Sequence, residues 1–396
     1  MNALFTLTAY PPFLGGAQLL MHQLARHLTP RVGVQVVTQW DARRTDWLWG
    51  TTLHGPKEAA TYEVDGVPVA RITLPQEQRR RLRPWVMAYY LAQGPALRRI
   101  SAALADQLRP WAARADLVHN CRIGREGLSF ASLAVAREQD LPFVLTPVHH
   151  PRWGGWLHRH YHRLYRQADA VIALTEAERR ALAALGVPED RIFVTGMGPV
   201  LADQPNGRSF RERHRLGDDP LVLFLGQKYA YKGAALLMRA APAVWARHPT
   251  ARFAFIGPQT SHSRRVFAGV SDPRVLEMDQ VDLAEKTDAL DACDIFCLPS
   301  RQESFGGVFT EAWSLGKPVV GCDIPAVQCV VDEGRDGLLA PPSPEALADR
   351  INRLLDEPAL RAEMGRRGRE KVRASYTWPR LAEKTEAVYR HVLQGR

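Results

Sequence analysis

Short apolar runs, each bounded by turn residues and followed by a helical pattern, recur along nearly the whole chain. Val34 to Thr38, Leu117 to Asn120, Pro142 to Thr146 and Ala170 to Leu174 stand in the first half. Leu221 to Leu225, Arg252 to Ile256, Ile295 to Leu298 and Pro318 to Gly321 follow in the second. Runs this short and continuously apolar suit parallel strands covered on both faces. Helical spacing runs through Gly233 to His248, Leu283 to Ala292 and Gly306 to Leu315. Longer helical patterns, Pro344 to Leu355 and Pro358 to Ala374, come near the end, and a last one follows Trp378. Between the two series, Gly196 to Asp219 is rich in Gly, Pro, Asn and charge and reads as an interdomain linker. At about 150 residues per domain, 396 residues predict two domains. The expectation is an α/β chain of two Rossmann-like parallel-sheet domains facing a central cleft. Ligands then bind beyond the carboxyl ends of the strands, where helix N-termini point.

Composition narrows the functional classes. Apolar residues at 46% and charged residues at 24% leave ample core and exclude bulk disorder. No apolar run reaches the roughly 18 residues of a spanning helix, and Met1 to Tyr10 reads as a core strand, not a leader. A cytoplasmic protein is expected, with peripheral contact at the inner membrane face as an option. The cysteines Cys121, Cys293, Cys297, Cys322 and Cys329 are odd in number and lack both disulfide and zinc spacing, so free thiols and no metal are expected. The net charge of +10 is uneven: residues 1–200 hold 24 Lys and Arg against 16 Asp and Glu. Arg79, Arg80, Arg81 and Arg83 beside Trp85 form the best basic patch. It suits an anionic membrane or an anionic acceptor, or is a plain solvated face. Nucleic-acid motifs are lacking, and no nucleic acid partner is expected.

The densest segment is Pro299 to Pro318, PSRQESFGGVFTEAWSLGKP. A strand ends, a loop carrying carboxylates and glycines follows, and a helix begins. Such a loop presents backbone N–H groups to a phosphate or to sugar hydroxyls. A carboxylate accepts two hydroxyl hydrogens at once, which suits a ribose diol or a pyranose edge. Glu303 stands before the Ser304–Phe305–Gly306–Gly307 turn, and Glu311 lies eight positions on, about two helical turns. Because Glu311 sits among Val308, Phe309, Ala312 and Trp313, it needs a partner.

This segment resembles the signature of the retaining GT-B glycosyltransferases of family 4 (glycosyl transferases group 1), through Glu303, Phe305, Gly306, Glu311, Ala312, Gly316, Lys317, Pro318, Val319 and Val320. The likeness spans the chain. Gly15–Gly16–Ala17 resembles the family's N-terminal glycine loop, and Asp116 to His119 a D-V-V-H strand. Leu145 to Pro151 (LTPVHHP) resembles the strand end that carries an active-site histidine. Ala168 to Thr175, Phe224 to Gly233 (FLGQKYAYKG), Phe255–Ile256–Gly257 and Tyr376–Thr377–Trp378 match in order.

The resemblance implies a GT-B fold. Residues 1–200 would form an acceptor-binding domain and 201–375 a nucleotide-sugar donor domain, with 376–396 a crossover helix on the first domain. It implies that Lys232 contacts the donor diphosphate and Glu311 the ribose. Glu303, with the amides of Phe305 and Gly306, would hold the donor sugar, beside Ser304 and Gly307. Gly15 and Gly16 would let the first helix approach a phosphate, and His149 or His150 would touch the sugar. The family's diphosphate arginine is Gln227 here, with Lys228 next to it as a substitute cation. The family's later G-G-x-x-E is replaced at Pro325–Ala326–Val327–Gln328–Cys329.

The expected activity is therefore retaining, metal-independent hexosyl transfer from a UDP- or GDP-sugar to a hydroxyl of a glycan, lipid-linked or small-molecule acceptor of the cell envelope, with no resident cofactor. An epimerase or phosphorylase on the same fold, or a weakly active nucleotide-sugar-binding partner subunit, are the alternatives. A nicotinamide dehydrogenase fails for want of G-x-G-x-x-G after a strand. The stretch from Trp40 to Arg83, with Trp47 and Trp49, is expected to line the acceptor side, since aromatics stack on sugars and Arg pairs with phosphate.

Overall fold

A computed structural model of the chain describes residues 1–12, 15–42, 48–122, 124–150 and 153–395. They form two compact units. The first holds Met1–Gly196 and the chain from Trp378 on; the second is Met197–Thr377.

The first unit opens with β1 (Asn2–Leu7), α1 (Gly16–Leu28), β2 (Gly33–Thr38) and α2 (Leu48–Leu53). A hairpin of β3 (Ala60–Val64) and β4 (Val67–Arg71) follows, then α3 (Gln76–Met87) and α4 (Gln93–Ala112). β5 (Leu117–Cys121), α5 (Leu128–Glu138), β6 (Phe143–Thr146), α6 (Arg159–Gln167), β7 (Ala170–Ala173), α7 (Glu176–Ala184) and β8 (Ile192–Val194) complete the series. The sheet order is β3-β4-β2-β1-β5-β6-β7-β8, parallel except for β3 on β4. Its central strands are buried end to end, so β6 and β7 read as apolar runs, while β5 carries His119 and Asn120 in the same buried setting.

The second unit runs through α8 (Gly207–Arg213), β9 (Leu221–Leu225), α9 (Ala234–Trp245), β10 (Arg252–Ile256), α10 (Ser261–Phe267) and β11 (Val275–Met278). It continues with α11 (Leu283–Ala292), β12 (Ile295–Leu298), α12 (Gly307–Ser314), β13 (Val319–Cys322), α13 (Pro325–Gln328), β14 (Gly337–Ala340), α14 (Pro344–Asp356) and α15 (Pro358–Ser375). All strand pairs are parallel, in the order β11-β10-β9-β12-β13-β14. Two Rossmann-like α/β units are thus present, as the alternating pattern predicts.

The expected linker is not a free connector. Residues from Met197 on belong to the second unit. Asn206 caps α8 through the Ser209 N–H (2.9 Å), and Phe210 is fully buried. A Cβ on Gly207 would meet the Asp291 and Ala292 backbone at 2.5 Å, so α8 lies directly on α11. One aromatic in a polar stretch turns it into packed structure. The Trp40 to Arg83 stretch also differs from a binding loop. Asp65–Gly66, both at positive φ, turn the β3–β4 hairpin. Trp40 is buried and bridges to Ala9; Trp49 packs on the core; Trp47 lies outside the described residues. Arg79 is not part of an open patch: it donates to the carbonyls of Leu74, Gly55 and Pro56. Arg80, Arg81 and Arg83 remain exposed.

The last helix, α16 (Trp378–Gln394), packs on α1 within the first unit. Its anchor is buried. His119 on β5 places Nδ1 2.6 Å from the Tyr389 hydroxyl and Nε2 2.8 Å from that of Thr146. Arg31 pairs with the exposed Glu383 and the buried Glu386, both at 3.4 Å.

Burial pushes the His119 imidazole from 6.5 down to about 3. The unfolded chain takes this proton first. The stability that this group contributes is therefore complete above pH 6.5 and is lost as pH falls from 6.5 towards 3. Tyr389→Phe leaves an imidazole nitrogen without its partner and is expected to cost about 1–3 kcal/mol in chemical denaturation at pH 7. His119→Phe should flatten part of the acid dependence of the midpoint, and an unaltered slope would contradict this anchor.

Candidate active site

Adjacent strands of the second sheet, β9 and β12, bring their carboxyl-end loops together. Gly233, at φ 87°, starts α9, and a Cβ there would lie 2.2 Å from the Pro299 carbonyl oxygen. The Arg301 N–H donates to the Tyr231 carbonyl at 2.8 Å. With the two loops pressed together, Lys232 Nζ reaches Glu303 Oε1 at 2.6 Å. The Glu303 side chain is 6% exposed and that of Lys232 20%, so the pair lies at the edge of solvent. Gly306, at φ 84°, turns the chain into α12, whose first N–H groups have no side-chain cap, while the Phe309 N–H donates back to the Gly306 carbonyl at 2.9 Å. Phe305 is buried edge-on to Tyr376 at 5.3 Å, and Ser304 is buried beside it. A Cβ on Gly307 would meet Met197 Sδ at 2.7 Å, which fixes how closely that segment approaches the helix.

Glu311 has the partner that its apolar surroundings require. Lys286 on α11 donates from Nζ to Glu311 Oε1 at 2.8 Å and to the Val200 carbonyl at 2.6 Å. The Val200 N–H adds a weaker bond to Oε1 at 3.4 Å. Glu311 Oε2 is buried and receives no hydrogen bond. The site therefore holds a fixed carboxylate with one oxygen satisfied and one still able to accept. Lys286 had no signal in the sequence beyond the general need of a buried acid for a cation.

Lys228 is placed differently from expectation. Its side chain is 0% exposed, pairs with Glu277 and donates to the Met278 carbonyl at 2.5 Å. Burial lowers its pKa, against the pull of Glu277. The ammonium is turned inward and does not substitute for the arginine missing at Gln227, which is exposed.

In the first unit, Gly15 caps α1 without a side-chain bond, and Gly16 stands at the first helical position. A Cβ on Gly16 would meet nothing within 4 Å. Packing therefore does not explain that glycine. Beyond β6, Val148 takes φ 44°, a strained conformation for a β-branched residue. His149 follows it, buried, and His150 is half-buried; Pro151, the end of the LTPVHHP string, lies outside the described residues. The His149 N–H donates to Glu178 Oε1 at 2.5 Å, and the Leu174 N–H to Oε2 at 2.7 Å. Glu178, pushed by burial up to about 7, thus ties the ends of β6 and β7 together. Burial first, then the charge of Arg122, takes the His149 imidazole down to about 4. Among the described residues no cluster of ligands could hold a metal ion, and no helix is long and apolar enough to cross a membrane.

Residues 219–357 match the family described as glycosyl transferases group 1, and residues 15–198 match a glycosyl transferase 4-like domain. The D-inositol 3-phosphate glycosyltransferase of Kineococcus radiotolerans is 32% identical over 255 residues, 58% of this chain and 58% of that protein. The phosphatidyl-myo-inositol mannosyltransferase of Mycobacterium tuberculosis H37Rv is 33% identical over 210 residues, 50% of this chain and 55% of that one. The chain thus spans little more than half the length of these curated relatives. In fold it is similar to Anabaena Alr3699/HepE, solved in complex with UDP and glucose, with a TM-score of 0.76, 18% identity, and 99% and 100% of the two chains covered.

The two kinds of glycine make opposite predictions. Gly233→Ala, at positive φ against a carbonyl, is expected to destabilise by more than about 1 kcal/mol. Gly16→Ala is expected to leave the melting temperature unchanged or raise it. Thermal unfolding of both variants checks this, and a destabilised Gly16→Ala protein would return that residue to a packing role.

Proposed function

Since this chain belongs to the glycosyl transferases group 1 family, we propose that it moves a hexose from a UDP- or GDP-sugar to a hydroxyl of a glycan, lipid-linked or small-molecule acceptor, with retention at the anomeric carbon. The observation that carries the donor assignment is Glu311: a buried carboxylate clamped by Lys286, with Oε2 free to accept from a ribose hydroxyl. Lys232 and the uncapped N–H groups of α12 serve the diphosphate, and Glu303 with the amides of Phe305 and Gly306 serves the sugar. Gly16 serves the phosphates, and His149 or His150 the sugar. His149, held neutral by burial at physiological pH, suits hydrogen bonding to hydroxyls better than charge pairing.

In the proposed step the bond from the anomeric carbon to the diphosphate oxygen breaks as the acceptor oxygen bonds to the same face. The acceptor proton passes to the departing phosphate oxygen. Charge grows on that oxygen, and the Lys232 ammonium stabilises it more in the transition state than in the ground state. With that cation and the α12 amides in place, the chemistry is proposed to need no divalent metal.

One observation favours a second reading, a nucleotide-sugar-binding subunit with weak turnover. Lys228 is committed to Glu277, so the diphosphate has one cation fewer than the motif would provide. A donor that binds but turns over with no acceptor would select it. For the acceptor side, Met87, Tyr90 and Leu91, the last 92% exposed, follow Arg80, Arg81 and Arg83 at the end of α3. Apolar tips beside exposed arginines support peripheral contact with an anionic membrane.

Thermal shift with nucleotide-diphosphate sugars tests the donor assignment. Glu311→Ala is expected to abolish the shift, and Glu303→Gln to keep it while lowering turnover at least a hundredfold. A full shift from Glu311→Ala would defeat the ribose role. Activity that chelation removes and magnesium or manganese restores would defeat the metal-free chemistry. Sedimentation with anionic vesicles should fall with salt and with Leu91→Glu; no binding at any ionic strength would remove the membrane contact.

A further inference from the structure

Arg122 follows directly on β5, at the carboxyl end of a central strand of the first sheet. It is 1% exposed, one of the largest fully buried side chains described. Its guanidinium lies 4.3 Å from the Tyr161 ring centroid, 5.0 Å from that of Trp153 and 5.6 Å from that of Tyr165. Nη1 donates to the Tyr165 hydroxyl at 2.5 Å. Nε and Nη2 are buried and have no partner. Among the described residues no carboxylate pairs with it. Glu126, four residues on, is directed to Ser129, whose N–H it accepts at 3.0 Å.

A buried cation with no carboxylate in ion-pair contact and two unmade hydrogen bonds is costly, even with the Glu126 charge near enough to act on it. The two unused nitrogens are not arbitrary. Nε and Nη2 form one edge of the guanidinium, the parallel fork that takes two oxygens of one oxyanion. The edge sits where open α/β sheets bind ligands. His149 and His158 are close enough to feel the Arg122 charge. Burial keeps both imidazoles neutral. Tyr161 and Tyr165 are fully buried on α6, whereas Trp153 is 8% exposed.

We propose that Arg122 is the anion-binding residue of the first unit: its Nε–Nη2 edge takes a phosphoryl group of the acceptor, entering past the Trp153 ring. That the phosphoryl group belongs to an acceptor rests on the glycosyl-transfer reading; the anion site itself does not. Nothing in the sequence singles out this arginine beyond its place at a strand end.

The test uses the full chain and inorganic phosphate, without donor. Phosphate is expected to shift the imidazole resonances of His149 and His158 and the Trp153 indole N–H. Arg122→Gln should weaken that binding at least tenfold while UDP binding stays unchanged. If the Gln variant does not fold, Arg122→Lys, which keeps the charge and loses the fork, should weaken binding in the same direction. Trp153→Phe should retain it. Glucose 1-phosphate and a short-chain phosphatidic acid, competing with phosphate, separate a soluble from a lipid source. Wild-type resonances that do not move, binding that survives both Arg122 variants, or competition by neither phosphorylated compound would overturn the proposal. A failed UDP shift would count against the donor reading alone.

Discussion

A carboxylate taken out of water must be paired or hydrogen-bonded, and two ion pairs organise the strand ends of the second sheet. Lys232–Glu303 at 2.6 Å joins the loops after β9 and β12. Lys286–Glu311 at 2.8 Å joins α11 to α12 and, through the Val200 carbonyl, to the segment entering the unit. Neither pair is a net stabiliser by default, because desolvation offsets most of the attraction. Breaking either by removing one partner leaves a buried charge, which is costly. The loops are therefore held at one spacing by groups that are chemically useful at that spacing. A ligand arriving there meets charges whose positions have already been fixed, and little reorganisation is left for it to drive.

The first unit achieves the same fixity by other means. Its strand-end loop before α6 is held by Glu178, which accepts the N–H groups of Leu174 and His149. A strained Val148 directly precedes His149. A single side chain thus spans two neighbouring strand ends and holds a conformation that the backbone alone disfavours. The histidines there are kept neutral by burial, so their hydrogen-bonding pattern does not change across physiological pH.

What was legible in the sequence follows from what is local. Leu221–Leu225, Arg252–Ile256 and Ile295–Leu298 coincide with β9, β10 and β12 because strands buried on both faces are apolar without interruption. Pro299 to Pro318 was readable because its carboxylates, glycines and helix lie within one continuous segment. Phe210 misled, since one buried aromatic converts a stretch of linker composition into α8. Asp65–Gly66 carried a hairpin signal that the surrounding tryptophans and arginines obscured. Long-range pairing was out of reach. Nothing near Lys228 announces Glu277, nothing near Lys286 announces Glu311, and nothing near Arg122 announces Tyr165. Spacing encodes faces of one element, and those contacts join elements whose order in the sheet is set only by the completed fold.

The cations of the chain make the same point about function. Lys228, Lys232, Lys286 and Arg122 are all withdrawn from bulk water to some degree, yet only three of them have a carboxylate. Lys228 is matched by Glu277 with nothing left over, and a matched buried pair calls for no ligand. Lys232 and Lys286 each pair with one oxygen of a carboxylate, and at Glu311 the second oxygen has no partner. Arg122 has aromatic faces on its flanks and an unused two-nitrogen edge. Aromatic faces soften the cost of burying a cation, but they accept no conventional hydrogen bond along that edge. A fold under selection for stability alone would have turned the nearby Glu126 carboxylate onto that edge, or placed an apolar side chain of similar volume there. The unmatched guanidinium is therefore better explained by an anion that comes and goes than by the packing that surrounds it.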